Sequence, residues 1–418
     1  MTVHGHRGGR VVIVGAGAAG VQLADSLRSG GHEGAIVLIG DDPALPYQRP
    51  PLSKEYLAGP DPAVGFPLRG ESFYADHGIE LRRGETVAEI DAGRRHAVLD
   101  GGERVEYDHL VLATGARNRA LDIPGSGLSG VMSLRTLADA DRLRRRLAAA
   151  ERVVVLGAGF VGLEVAAAAR LRGVETVVFE SAARPMARIA SPVLSEYVAR
   201  AHAEMGVELR CGRSVTEIVG TGGTGGTVTA VRTDQGETLE TDLVLVGVGA
   251  APADELARRA GLAVENGIRI DDRFRTGGPG IWAIGDCASF PDPYSGRRLR
   301  LESVQNASAQ ARTLARIMLG DDVRYDEVPW FWSNQGSIRL QIAGVRFDGD
   351  RALPLGDPAT GSFSVLSFRE DRLVAVESVN RPRDHVSARR ALTRRLSLRP
   401  EEIVAGFDLG AHVSGTPA

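Results

Sequence analysis

Two six-residue turns in the chain have the residue types and spacing to hold a diphosphate. Gly15-Ala16-Gly17-Ala18-Ala19-Gly20 and Gly157-Ala158-Gly159-Phe160-Val161-Gly162 both read GxGxxG. Each follows a β-branched run, Val11-Val12-Ile13-Val14 or Val153-Val154-Val155-Leu156, and opens a helical pattern. Each helix leads to a second strand, over 35–39 and 176–179, that ends at an acid. Asp41 (or its neighbour Asp42) lies 21 residues past Gly20, and Glu180 lies 18 past Gly162. In such a turn the first glycine allows the tight bend, the second lets the backbone approach a pyrophosphate, and the third lets helix and strand pack closely. The anion then rests against free N–H groups at the helix N-terminus, and the acid accepts from a ribose. One copy is a weak signal. Two copies, each with strand, helix and acid in place, predict two bound dinucleotides. Glu180 favours a free 2′-hydroxyl, hence NADH over NADPH, although Arg184 and Arg188 follow closely enough to receive a phosphate.

The elements that must position these turns can be read around them. His109-Leu110-Val111-Leu112 is a buried-type strand ending in Ala113-Thr114-Gly115, and Leu243-Val244-Leu245-Val246 is a second, ending in Gly247-Val248-Gly249. A third runs from Gly280 into Gly285-Asp286-Cys287, and 304–319 reads as a helix. The predicted layout is nested: a first dinucleotide-binding domain over 1–120 and 250–325, a second over 121–249 inserted into it, and a C-terminal α+β domain over 326–418. The fold class is α/β, with two Rossmann-type domains arranged as in glutathione reductase plus that third domain. In the tail, 363–368 and 373–379 read as a hairpin, and an arginine-rich helix follows from Asp384. The last dozen residues carry Gly, Ser and Pro and are expected to be mobile. The glycine run 220–226 reads as a hairpin tip.

Composition narrows the function classes. The 418 residues are 43% apolar and 25% charged, ordinary for a multidomain soluble protein. A net charge of -3 gives no general pull toward nucleic acid or an anionic membrane. The opening run lacks the apolar stretch of a secretory signal, so a cytoplasmic location is expected. Cys211 and Cys287 form no CxxC, which argues against a local redox disulfide, and no metal-ligand spacing is present. Lys54 is the one lysine among 50 basic residues. A compact ammonium kept where arginine is otherwise used suggests a site that only lysine fits.

Further segments carry a family resemblance. Pro46-Tyr47-Gln48-Arg49-Pro50-Pro51-Leu52-Ser53-Lys54 resembles the PYxRPPLSK signature of oxygenase-coupled NADH–ferredoxin reductases, the putidaredoxin reductase-like group. Leu134-Arg135-Thr136, Gly157 to Glu164, Gly285-Asp286-Cys287, Glu302-Ser303-Val304-Gln305-Asn306 and Trp330-Phe331-Trp332-Ser333-Asn334-Gln335 resemble further segments of that family, in order along the chain. Asn334 stands where the family usually has aspartate. The resemblance implies that the first turn holds FAD, through Gly15, Gly17, Ala19 and Gly20 at the pyrophosphate and Asp41 at the ribose. It implies Arg49, Pro50, Lys54, Val87, Ala113, Thr114, Gly115, Arg135, Asp286, Val304 and Trp332 as further FAD contacts. NADH would meet Gly157, Gly159, Phe160, Val161, Gly162, Glu164, Glu180, Arg188 and Gly249. Lys54, Glu164 and Trp332 are the implied catalytic residues, with Lys54 and Glu164 at the flavin–nicotinamide contact.

The expected chemistry is transfer of hydride from NADH to FAD and release of single electrons to a [2Fe–2S] ferredoxin. That ferredoxin would serve a haem-thiolate monooxygenase or a ring-hydroxylating dioxygenase. Rubredoxin reductase is the nearest alternative. An NADH-sensing flavoprotein of the apoptosis-inducing-factor type is a non-enzymatic one. A peroxide- or oxygen-reducing NADH oxidase would need a cysteine in 45–56, where there is none. The arginine runs 142–146 and 297–300 read as solvated faces. Arg312 and Arg316, spaced i, i+4, are candidates for docking an acidic ferredoxin. Monomer and homodimer both remain open.

Overall fold

A computed structural model describes residues 8–59, 66–222 and 225–415. The opening run before Gly8, the middle of the 220–226 glycine run and the last three residues therefore lie outside the described residues. By contact the chain parts into two compact units. The first comprises Met1–Gln48, Val64–Arg117 and Ala250–Pro329, and the second Arg49–Ala63, Asn118–Gly249 and Trp330–Ala418.

In the first unit a five-stranded parallel sheet runs in the order Ile281–Ala283, His109–Leu112, Val11–Val14, Ile36–Gly40, Ile79–Arg83. Val11–Val14 is the central strand and is buried throughout. Its unbroken apolar run is what a parallel strand covered on both faces needs. The Ala18–Ser29 helix buries Ala19, Val21, Leu23, Ala24 and Leu27 and packs against the Val304–Met318 helix. A small antiparallel sheet of Val87–Asp91, His96–Leu99 and Arg104–Glu106 is set beside them.

The second unit repeats the plan. Its parallel sheet runs Val207–Cys211, Glu175–Glu180, Arg152–Leu156, Leu243–Val246, Val131–Met132, and the Phe160–Leu171 helix follows the central strand. Val215–Gly220 and Val228–Thr233 pair antiparallel across the glycine run. A third layer is a five-stranded antiparallel sheet, ordered Trp330–Gln335, Ile338–Gly344, Arg372–Val379, Phe363–Arg369, Arg351–Leu355. The Pro382–Thr393 helix lies on its inner strands.

The sequence pattern finds the 363–379 hairpin but not Ile338–Gly344, which alternates through Ile342, or the edge strand Arg351–Leu355, where Pro354 is tolerated. The expected strand into Gly285-Asp286-Cys287 stops at Ala283, and those three residues form a 3-10 turn with Gly285 at φ 78. The expectation of a mobile final dozen is overturned: Leu409–Gly415 is a helix that docks on Pro382–Thr393. Leu409 and Val413, one helical turn apart, are buried there. Two apolar residues at i, i+4 were outweighed in the sequence reading by the Gly and Ser around them.

Candidate functional site

The two glycine turns have the same local geometry. Gly15 has φ 116, and a Cβ there would lie 2.1 Å from the Ala113 carbonyl oxygen. Gly157 has φ 102, and its Cβ would lie 2.5 Å from the Gly247 carbonyl oxygen. At Gly20 and Gly162 a Cβ would strike the first glycine's carbonyl oxygen, at 2.0 and 2.1 Å. The middle glycines differ from both: nothing lies within 4 Å of where a Cβ would stand on Gly17 or Gly159. These two residues are also the N-caps of the Ala18–Ser29 and Phe160–Leu171 helices, and neither helix has a side-chain cap. Uncapped first-turn N–H groups facing open space suit a pyrophosphate, which supplies the acceptors and the negative charge. The donor set therefore fits a dinucleotide at each turn.

The acids behave differently at the two turns. Asp42 is committed to its own loop, accepting from the Ala44 N–H at 3.0 Å and the Tyr47 hydroxyl at 2.7 Å. Asp41, one residue past the strand, is exposed. Glu180 ends its strand and accepts from the backbone N–H of Ala158, within the second turn, at 2.8 Å. Its other oxygen accepts from the Ala182 N–H at 2.8 Å. Arg184 is spent on structure: its guanidinium donates to the Ala190 and Ala187 carbonyls and to the Ser195 hydroxyl. Arg188 is exposed, and a Cβ on Gly249 (φ 97) would sit 3.4 Å from its guanidinium.

The remaining candidates fall at element ends. Thr114 donates to the Ala253 carbonyl at 2.6 Å, and the Ala253 N–H returns to the Gly115 carbonyl at 2.9 Å. Val87 is buried at the start of its strand. Asp286 lies in the 3-10 turn, and Val304 opens a helix whose N-cap, Ser303, accepts from the Asn306 N–H. Arg135 precedes the Leu137–Leu147 helix, its N–H bonded to the Asp139 carboxylate.

In the second unit the structure brings Lys54 and Glu164 together. Arg49 caps a 3-10 turn over Pro50–Ser53 that delivers Lys54. The Lys54 ammonium is 2.9 Å from Glu164 Oε2, and the two side chains are only 11% and 3% exposed. Lys54 also donates to the Pro50 carbonyl at 3.1 Å. Glu164 lies two residues past Gly162, on the second turn's helix. Its carboxylate accepts further bonds from the Ser53 hydroxyl at Oε2 and from the Ser333 hydroxyl at Oε1, the latter at 2.6 Å. An ion pair this buried stands only when its spare lone pairs are filled, and removing one partner typically costs about 3–5 kcal/mol.

Ser333 arrives by strand alternation. In Trp330–Gln335 the odd positions Phe331, Ser333 and Gln335 share one face, and Phe331 stacks on Phe160 with ring centroids 4.3 Å apart. Trp330, Trp332 and Asn334 share the other, with Asn334 exposed. Trp330 is held between Arg389 and His385, at 4.5 and 5.4 Å, so it packs the third layer. Trp332 is partly exposed, 6.2 Å from Trp330. Beyond Ser333, Gln335 Nε2 donates to the Ser333 hydroxyl at 3.1 Å, and Gln335 Oε1 meets His202 Nε2 at 2.9 Å. Ser53, Ser333, Gln335 and His202 were not singled out in the sequence. The first three stand inside recognisable segments, whereas a lone histidine in a helix carries no signal.

The arginine runs are not simply solvated. Arg144 donates to the Gly59 carbonyl, Arg146 to the Ser129 hydroxyl, and Arg298 to the Ile270 and Ser289 carbonyls. On the Val304–Met318 helix, Arg316 pairs with Asp321 at 2.9 Å while Arg312 is exposed.

The pyridine nucleotide-disulphide oxidoreductase profile matches residues 9–311, and a reductase C-terminal profile matches 330–411. The chain belongs to the pyridine nucleotide-disulphide oxidoreductase family. As in the family, its cofactors are FAD and a nicotinamide dinucleotide. Rhodocoxin reductase of Rhodococcus erythropolis is 46% identical over 400 residues, covering 96% of this chain and 93% of its own length. A ferredoxin reductase for the CYP199A2 system from Rhodopseudomonas palustris superposes with a TM-score of 0.93 at 45% identity, over 97% of this chain and 99% of its own. Putidaredoxin reductase, solved in covalent complex with putidaredoxin, gives 0.93 at 40% identity over 97% and 98%. This member of the family has two free thiols, and burial pushes the Cys287 thiol up, away from reactivity. Among the described residues no helix is long and apolar enough to cross a membrane.

Proposed function

We propose that the chain is an FAD-dependent NADH:ferredoxin oxidoreductase. It would pass single electrons to a [2Fe–2S] ferredoxin serving a haem-thiolate monooxygenase or a ring-hydroxylating dioxygenase. The observation that carries the reading is the duplicated turn, with an open middle glycine over an uncapped helix in each copy. When bound, FAD accepts two electrons as hydride from the nicotinamide and gives them up one at a time.

The chain's residues bind, orient and bias. Gly15, Gly17, Ala19 and Gly20 hold one pyrophosphate and Asp41 its ribose. Gly157, Gly159 and Gly162 hold the other, in the domain that takes NADH. Glu180 accepts from the adenosine ribose of NADH, and with Arg184 already spent on carbonyls a 2′-phosphate finds little to offset that carboxylate. Lys54, fixed by Glu164, supplies a positive charge to the flavin, which stabilises the electron-rich reduced ring. Trp332 flanks the flavin. Arg312 and Arg316 are both exposed on their helix; with Arg316 paired to Asp321, Arg312 is the cation suited to an acidic partner.

The test is anaerobic reduction of cytochrome c by NADH with and without a [2Fe–2S] ferredoxin. Strong stimulation, weakened by salt and by Arg312→Glu, is expected. Flavin reduction that only a rubredoxin can relay would replace the acceptor, and no flavin reduction would overturn the reading.

A further inference from the structure

The Lys54–Glu164 pair is not isolated, because a line of hydrogen bonds leaves it and ends at a fully buried histidine. The line runs from Glu164 Oε1 to the Ser333 hydroxyl at 2.6 Å, then to Gln335 Nε2 at 3.1 Å, and from Gln335 Oε1 to His202 Nε2 at 2.9 Å. Ser333, Gln335 and His202 are all 0% exposed. His202 stands in the last full turn of the Pro192–Glu204 helix, on a different element from every other member.

The line has one possible direction. A serine hydroxyl has a single proton, and beside a carboxylate oxygen at 2.6 Å that proton goes to Glu164. The Ser333 oxygen is then left to accept, so Gln335 must present its NH2 group to it. That turns the Gln335 carbonyl toward His202, and a carbonyl only accepts. His202 Nε2 therefore carries the ring hydrogen, and Nδ1, which has no hydrogen-bond partner among the described residues, is the bare nitrogen. Burial lowers the His202 pKa, which keeps the ring neutral and spares it a second, unsatisfied N–H. Every dipole in the line points its positive end at the carboxylate. With Ser53 and Lys54 on the other oxygen, Glu164 is held at both oxygens and has no freedom to rotate.

We propose that His202 and Gln335 are positioning residues which, through Ser333, fix the orientation of Glu164 and hence the place of the Lys54 ammonium. This rests on the reading that Lys54 acts on the flavin. Neither residue reaches a cofactor itself; each sets the geometry of one that does, as outer-layer hydrogen bonds do around a metal ligand.

The experiment combines 15N-histidine NMR of the holoenzyme with stopped-flow reduction by NADH. In the wild type His202 should be a single Nε2–H tautomer, which Ser333→Ala converts to a mixture. His202→Leu and Gln335→Leu should each lower the flavin reduction rate at saturating NADH about tenfold, with the NADH dissociation constant and FAD content unchanged. His202→Gln, whose own Nε2 can donate to Gln335, should restore most of the rate. An Nδ1–H tautomer in the wild type overturns the proposal. So do wild-type rates in both leucine variants while Lys54→Met is slow, or a loss traced to missing FAD. A Lys54→Met enzyme reduced at the wild-type rate removes the parent reading instead, and the tautomer measurement still judges the line. If His202→Leu does not fold, Gln335→Leu and His202→Gln decide.

Discussion

A carboxylate that receives a lysine ammonium and two serine hydroxyls has little capacity left, and that makes the residues around Glu164 sensitive to small changes. Lys54→Met keeps the stem and removes the charge, leaving a buried anion with two neutral donors. FAD should stay bound while its reduction by NADH slows about a hundredfold, the scale on which loss of one preorganised charge partner acts. Stopped-flow absorbance of the bound flavin measures this directly. At Glu180 the same reasoning applies with a twist, because one oxygen also holds the Ala158 N–H of the turn itself. Glu180→Ala should raise the KM for NADH about tenfold and narrow the ratio of kcat/KM between NADH and NADPH, without creating a true NADPH enzyme. Steady-state kinetics with both nucleotides would reveal it. An unchanged ratio would mean that this carboxylate does not read the 2′ position.

The two motif helices make separable predictions, because the glycines within one turn have different neighbours. Gly17→Ala and Gly159→Ala place a methyl in open space at negative φ, so the apoprotein should melt within a degree or two of the wild type. The same methyl stands where a pyrophosphate would lie. Gly17→Ala should therefore weaken FAD retention, and Gly159→Ala should weaken NADH binding while leaving FAD in place, each about tenfold or more. Gly20→Ala, 2.0 Å from a backbone oxygen, should instead lower the melting temperature of the apoprotein. Calorimetry paired with flavin titration separates the cases. These elements were also the most legible in the sequence. Glycine spacing, β-branched runs and a terminal acid are local signals, and they located Val11–Val14, Ile36–Gly40, Arg152–Leu156 and Glu175–Glu180 to within a residue or two, whereas Ile79–Arg83, Val207–Cys211 and Val131–Met132 were not picked out. Lys54 stood out by rarity and by its segment, and the family resemblance set it beside Glu164 across 110 positions of sequence; the fold adds the 2.9 Å contact and the serines that complete it. His202 was illegible for a physical reason: its role depends on a strand some 130 residues later placing Gln335 opposite it. The C-terminal layer was half legible: Phe363–Arg369 and Arg372–Val379 are apolar runs on either side of a charged turn, whereas Arg351–Leu355 carries Pro354 and Ile338–Gly344 was passed over despite its alternation through Ile342.

Across the whole molecule, burial sets the response to acid. His32, His202 and His385 all have their pKa lowered chiefly by burial, His385 down to about 4. The unfolded chain takes up protons near pH 6.5 that the folded chain refuses, so stability present above 6.5 is lost as pH falls toward the folded values. Glu377 runs the other way. Burial raises its carboxyl despite bonds from the Ser191 N–H and hydroxyl, so its contribution is present below about 4.5 and lost as pH rises through its folded value. His385 contributes a loss of stability as pH falls from 6.5 toward 4.5, and His385→Leu should remove that contribution to the melting temperature; a calorimetric pH series of both proteins tests it. The solitary lysine has a different consequence. A lysine-specific endoprotease has one bond to cut in all 418 residues, Lys54–Glu55, and it lies where a largely buried ammonium is clamped by Glu164 and Pro50. Cleavage requires that segment to open, so two fragments growing in on a gel become a clock for local unfolding at Lys54. The same scarcity means that amine-directed crosslinkers and dyes, harmless on most enzymes' surfaces, have few targets here other than the residue proposed to matter most.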